Sequence, residues 1–146
     1  MGNLEKSSHL QRIRTGGCLC GAVRYQVSGE LRGVVNCHCS TCRYHHGTFG
    51  AYTKAENAQL KILTEEGLKW YDSGDKIAIR GFCVNCGTNL FWCPLNKDTT
   101  SIVAGTLDDP NGLETVAHIF VEDKADFYEI YDSLPQYPQG LNSKKL

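Results

Sequence analysis

Seven of the eight cysteines in this chain fall into three tight groups: Cys18-Leu19-Cys20-Gly21, Cys37-His38-Cys39-Ser40-Thr41-Cys42 and Cys83-Val84-Asn85-Cys86-Gly87. Thiolates at such spacing are the ligands that zinc takes, with each sulfur held about 2.3 Å from the ion. A C-x-x-C on a tight turn brings two sulfurs to one ion and leaves backbone amides to soften their charge. A C-x-C does the same on an extended segment, where the side chains at i and i+2 point to one side. Gly21 and Gly87 let the chain turn beneath an ion where a Cβ would clash. Three alternatives to metal binding fit the cysteines less well. Scattered buried thiols do not account for clusters, C-x-C partners make strained disulfides, and a redox C-x-x-C expects a neighbouring βαβ pattern, which this sequence lacks.

Seven ligands divide naturally into four and three. A closed four-sulfur site is structural, whereas three ligands leave a position free for water or substrate, as catalytic zinc sites do. Spacing leaves the pairing open. Cys39 and Cys42 could join Cys83 and Cys86 in a ribbon-like site. Equally, Cys18 and Cys20 could join Cys83 and Cys86, leaving Cys37, Cys39 and Cys42 as a local tripod.

The residues around the clusters each suit more than one role. His38 points away from an ion if its segment is extended, and packing or hydrogen bonding behind the ligands is the expected role. Ser40 and Thr41 suit hydrogen bonds to the sulfurs or the cap of a short helix, with capping the expected role. Arg43 is a candidate for balancing thiolate charge or for holding a substrate carboxylate, with a plain salt bridge as the competing role. His45 and His46 flank a turn and are expected to face solvent, and His118 reads as a satisfied core histidine. Cys93, Trp70, Tyr71 and Trp92 are expected in the core, and Asp108 and Asp109 in a turn.

The elements that must position these groups are mainly strands. Val23, Tyr25 and Val27 alternate with polar residues at the period of a half-buried strand. Further short strands are predicted at 34–35, 49–53, 60–63, 68–71, 77–83, 88–93, 101–104 and 115–121, separated by turn signals such as Ser73-Gly74-Asp75 and Asp108-Asp109-Pro110-Asn111-Gly112. Helix signals are sparse: Ser40 as cap of a helix through Cys42 to His46, ended by Gly47, and a turn at 54–58. Residues 126–131 suit either a helix or a strand, and the prolines at 135 and 138 imply an extended tail.

A chain of 146 residues has the size of one domain and buries roughly two-thirds of its unfolded surface. We expect a loose lead-in over 1–15, in which His9, Leu10 and Ile13 are the candidates for docking, one zinc domain over 16–138 and a tail over 139–146. The formal net charge of -1 gives no electrostatic case for nucleic acid or an anionic membrane as partner. No apolar run reaches the length of a membrane span, and the first residues lack a signal-peptide core. A reducing, cytoplasmic setting is therefore expected, in which the thiols stay free. Met1-Gly2 is followed by Lys6 where a myristoylation motif wants Ser or Thr, and the Lys-Lys-Leu end differs from a peroxisomal address.

The three cysteine motifs, extended to Gly17–Val23, Cys37–Arg43 and Phe82–Gly87, resemble the glutathione-dependent formaldehyde-activating enzyme (GFA) family, which includes the centromere protein V type domain. The Gly105-Thr106-Leu107-Asp108 turn, His118-Ile119-Phe120 and Leu134-Pro135 add to the resemblance, which covers about residues 16–138. It implies a mainly β chain with a β-tent fold, short antiparallel sheets organised around zinc. It also implies two zinc ions: a structural one on Cys18, Cys20, Cys83 and Cys86, and a second, open one on Cys37, Cys39 and Cys42, with catalysis there and Arg43 beside it. The implied activity is that of a carbon–sulfur lyase resembling S-(hydroxymethyl)glutathione synthase, which acts on glutathione or another small-molecule thiol and formaldehyde. The competing function is a non-enzymatic, zinc-stabilised binding module of the centromere protein V type.

Overall fold

The computed structural model describes residues 12–146. His9 and Leu10 lie outside the described residues. The lead-in expected over 1–15 gives way to a strand, β1 (Ile13–Gly17), that periodicity missed because Gly16 and Gly17 offer no side chain to alternate. Both glycines are required by close approach. A Cβ on Gly16 would lie 2.4 Å from the Tyr25 hydroxyl, and one on Gly17 would lie 2.2 Å from the Val23 carbonyl.

Each strand expected from the sequence has a counterpart: β2 (Arg24–Ser28), β3 (Val34–Cys37), β4 (Gly50–Glu56), β5 (Leu60–Thr64), β6 (Leu68–Asp72), β7 (Ala78–Cys83), β8 (Asn89–Pro94), β9 (Thr99–Val103) and β10 (Thr115–Ile119). They form two sheets, one of three strands in the order β1-β2-β5 and one of seven in the order β10-β3-β4-β9-β8-β7-β6. All neighbours are antiparallel except β10 and β3, which run parallel. The mainly β class follows directly from the alternation in the sequence.

The core lies between the two sheets. Tyr25 and Val27 approach it from the small sheet, with Val23 just ahead of β2; Leu90, Phe91 and Ile102 approach from the large one. Tyr25 meets Phe91 edge to face at 5.3 Å, and its hydroxyl pairs with Thr106 at 2.8 Å, so this buried phenol is not left unpartnered. Full burial of each large apolar side chain contributes about 1.5–3 kcal/mol.

The helix α1 (Ser40–His46) is capped one residue earlier than expected. Cys39, not Ser40, is the cap, and its sulfur accepts the Cys42 N–H at 3.3 Å. Gly47 closes the helix at φ 90°, where a side chain would be strained. The turn expected at 54–58 is a short 3-10 turn at Asn57–Gln59, because β4 runs on to Glu56. Residues 126–131 form neither helix nor strand. The proline-containing tail is extended and docks on β10: His118 N–H donates to the Pro135 carbonyl and Tyr137 N–H to the His118 carbonyl, each at 2.9 Å. Among the described residues no helix is long and apolar enough to cross a membrane.

Candidate functional site

The fold resolves the pairing that spacing left open. Cys18 and Cys20 follow β1, Cys83 ends β7 and Cys86 lies in the turn beyond it; their four sulfurs are all within 4.8 Å of one another. A second group, Cys37, Cys39 and Cys42, converges to the same tolerance. The clamp therefore joins the small sheet to the large one, while the tripod is local to the β3–α1 junction.

Donor geometry tests whether these groups suit a metal. Sulfurs about 2.3 Å from a tetrahedral ion stand about 3.8 Å apart. The Cys18–Cys20 and Cys20–Cys83 sulfur separations are 3.6 and 3.8 Å. The clamp sulfurs are also hydrogen-bonded as charged ligands should be. Cys18 accepts the Val23 N–H at 3.2 Å, and the Thr88 hydroxyl sits 3.2 Å from Cys86. Thr88, through its hydroxyl first and its backbone N–H next, brings the Cys86 thiol down to about 5. Gly67 is needed behind the clamp, since a Cβ there would lie 2.8 Å from the Cys83 sulfur. In the tripod, hydrogen bonds from the Cys37 and Cys42 thiols hold Cys39 down at about 2, and the same contacts together with burial raise Cys37. Both groups could hold a metal ion, and their all-sulfur donor sets suit zinc.

The tripod opens into a cleft of about 420 Å³ on the outer face of the large sheet. Its floor follows from register. Lys54 on β4 stands opposite Ser101 on β9, Ser101 opposite Trp92 on β8, Trp92 opposite Arg80 on β7, and Arg80 opposite Tyr71 on β6. Directly opposed residues share a face, so these five form one row across five strands, and all line the cleft. Trp92 and Tyr71 are thus cleft residues and not the core aromatics expected. Trp70, on the opposite face, stacks 6.0 Å from Phe91 over Gly81 but stays 40% exposed on the edge strand, so it too lies outside the core expected for it. Four basic side chains line the cleft (Arg32, Lys54, Arg80 and Lys97) against two acids (Asp75 and Asp123), which makes it net positive in a chain whose overall charge is -1.

Arg43 is not among the residues lining the cleft; its guanidinium lies over the Tyr44 ring at 4.8 Å. Arg80 and Arg32 are the arginines that line it. Cys93 is half-buried with its sulfur 3.4 Å from the Thr100 hydroxyl. Asp108 accepts from both Arg24 nitrogens and from Thr15, which hold its carboxyl down to about 2.

His38 turns away from the tripod, as the extended-segment argument requires, and enters a hydrogen-bonded chain that runs from the interior to the surface. Its Nδ1 lies 2.6 Å from the Tyr128 hydroxyl and its Nε2 2.9 Å from His118 Nδ1; His118 Nε2 lies 2.9 Å from Asp132. An ionised carboxylate only accepts, which sets the sense of the whole chain. His118 donates to Asp132, His38 donates to His118, and Tyr128 donates to His38. Burial and the neighbouring His118 bring His38 down to about 4, so its ring acts as a neutral link.

His46 is not solvent-facing as expected: it is half-buried, with Nε2 2.6 Å from the Tyr52 hydroxyl. Sequence reasoning missed Tyr52, Lys54 and Arg80. The available signal was periodicity, since His46 is four residues after Cys42 on one helix face and Gly50, Tyr52 and Lys54 share a strand face with a residue opposite Cys37.

Residues 13–123 match the family described as glutathione-dependent formaldehyde-activating enzyme. The chain belongs to this family. Among its GFA relatives is an uncharacterized lyase of Schizosaccharomyces pombe (strain 972), 30% identical over 118 residues that make up 78% of this chain and 82% of the relative. A crystal structure of a Rhodobacter sphaeroides protein is similar at a TM-score of 0.56 and 28% identity, covering 67% of this chain and 91% of that one. Tyr128 and Asp132, the outer members of the histidine chain, lie beyond the segment that matches the GFA family.

Proposed function

We propose that this GFA-family protein is a zinc-dependent carbon–sulfur lyase that interconverts a small thiol plus formaldehyde with their hydroxymethyl adduct, with glutathione as the thiol that best suits the cleft. The observation that carries this reading is the three-cysteine tripod at the end of a net-positive cleft of about 420 Å³. The family membership and the lyase named among the relatives support it.

Cys18, Cys20, Cys83 and Cys86 would hold one zinc in a closed site, and Cys37, Cys39 and Cys42 a second. When bound at the tripod, zinc supplies a fourth position at which a thiol ionises near neutral pH. The chain's own residues do the rest. Lys54 and Lys97 offer cations to the two carboxylates of a glutathione-like substrate, and the Trp92 ring in the floor supplies apolar surface beneath its chain. Arg80 adds charge that favours thiolate at the tripod, where it lowers Cys39. The Cys39 cap fixes two of the three sulfurs to the first turn of α1, so the tripod is ordered before a substrate arrives. A zinc-stabilised binding module has no use for an open three-sulfur site inside such a cleft. All eight thiols are free, which suits a reducing compartment such as the cytoplasm.

Two measurements test the reading. Metal analysis before and after mild chelation is expected to give two zinc ions per chain, one retained and one labile. Exchange NMR on formaldehyde, glutathione and their adduct should then show line-shape exchange accelerated by the loaded protein and not by the mildly chelated one. A single zinc, or no acceleration with both sites loaded, contradicts the proposal.

A further inference from the structure

Gly50, Tyr52 and Lys54 project from the same face of β4, and Gly50 is the ladder partner of Cys37. A Cβ on Gly50 would lie 2.5 Å from Tyr52 Cε2 and 2.8 Å from His46 Cδ2. The Tyr52 ring is therefore folded back along its own strand over Gly50, towards Cys37, and His46 from the far end of α1 closes on the same spot. The glycine is what makes room for the pair. The Tyr52 hydroxyl is then held from two directions, with His46 Nε2 at 2.6 Å and Arg80 Nη1 donating from across the cleft at 3.2 Å. Tyr52, Arg80 and the three tripod cysteines line one cleft.

Two nitrogens thus converge on one phenol oxygen. Arg80 can only donate, so it must point a hydrogen at the phenol oxygen. If neutral His46 carries its proton on Nε2, it donates to that oxygen as well. Both acceptor positions of the phenol are then filled, and its own hydrogen is directed into the cleft. Burial pushes the phenol above its ordinary range.

We propose that Tyr52 is a catalytic residue of the lyase reaction: its hydroxyl, oriented by Arg80 and His46, donates a hydrogen bond to the aldehyde oxygen as charge develops there. The role rests on the lyase reading above. In the condensing direction the thiolate sulfur forms a bond to the carbonyl carbon and the C=O π pair moves onto oxygen. The proton given up by the thiol ends on that oxygen, so thiol plus formaldehyde equals hydroxymethyl thioether with nothing else consumed. Tyr52 stabilises the oxygen while it carries the charge, and in the reverse direction it stabilises the same oxygen as the carbon–sulfur bond breaks. A preorganised donor of this kind contributes about 10²–10³ in kcat.

The test is Tyr52→Phe, which keeps the ring and removes only the hydroxyl, measured beside the wild type by exchange NMR with formaldehyde and glutathione. The expected result is a fall in kcat of about 100-fold, with KM for glutathione within about 3-fold and the same zinc content and unfolding midpoint. Arg80→Met, which leaves Tyr52 in place and removes one orienting donor, is expected to lower kcat by about tenfold; it serves as the readout if Tyr52→Phe loses zinc or fold. Unchanged kcat in the folded Tyr52→Phe protein, or in Arg80→Met where that is the readout, overturns the assignment while leaving the lyase reading intact. A wild type that does not accelerate exchange overturns both.

Discussion

Replacing one sulfur in each cysteine group should separate their roles by an amount that can be worked from the chain connections. Cys20 and Cys83 are 63 residues apart in sequence. Closing a loop of that length in the unfolded chain removes entropy equivalent to about 4 kcal/mol. Cys20 is exposed, so Cys20→Ser breaks the clamp without opening a core cavity, which Cys83, fully buried in the apolar core, would do. The tripod closes only the stretch from Cys37 to Cys42, and that stretch is already fixed by the Cys39 cap and by the Arg43 N–H bond to the Cys39 carbonyl. Cys39→Ser therefore forfeits less than about 1 kcal/mol of loop entropy. For a chain near this size a loss of 1 kcal/mol lowers the unfolding midpoint by about 2–4 °C. Calorimetry on zinc-loaded protein should thus show Cys20→Ser melting roughly 8–16 °C below the wild type, and Cys39→Ser within a few degrees of it. Metal analysis of the same samples should show one zinc fewer in each. Equal shifts for the two variants, or a clamp variant that loses its zinc without losing stability, would refute the division into a structural and a working site.

Three further outcomes follow from particular contacts. Gly50→Ala places a methyl 2.5 Å from the Tyr52 ring and should cost about 1–3 kcal/mol by overpacking, read as a lower denaturation midpoint, with activity lowered as in Tyr52→Phe. Ile102→Ala removes a side chain with no exposed surface at the centre of the core and should cost about 2–5 kcal/mol in chemical denaturation. Asp108 has its folded carboxyl held down to about 2 by Arg24 and then Thr15, against an ordinary value of 3.8. A lowered folded pKa stabilises above the unfolded value and loses that stabilisation as pH falls through the folded one. With the Asp108 side chain 45% exposed, solvent screening keeps the effect below about 1 kcal/mol. Asp108→Asn should therefore be slightly less stable than wild type at pH 7, and the gap should close between about pH 4 and pH 2 in acid-denaturation curves.

The strands were legible because each presents one apolar face, as Tyr25 and Val27 do between Arg24, Gln26 and Ser28. β1 was not, since its two glycines carry no side chain and are fixed by what approaches them. The cysteine groups were legible by spacing, yet which groups share a site depends on β1 and β7 meeting across two sheets, a contact that no local pattern encodes. The cleft was the least legible part. Trp70 and Trp92 look alike in sequence, and only ladder register stacks one, partly exposed, against Phe91 and sends the other to the cleft floor beside Arg80. Arg43 stands next to a tripod cysteine along the chain, but its side chain lies over Tyr44; Arg80, distant in sequence, reaches Tyr52 instead.

The location of the clamp bears on how the chain reaches this shape. Its sulfurs come from opposite halves of the sequence, so no pair of neighbouring hairpins can assemble it; β1 and β7 must meet to complete it. Contacts of such long range slow folding, because loop closure must precede the contacts that stabilise it. An ion captured by one half of the clamp during collapse can act as a tether that shortens the search for the other half. Refolding in stopped flow should then be faster with zinc present from the start than with zinc added after the chain has collapsed. The tripod, formed within six consecutive residues, should show no such dependence on the order of addition.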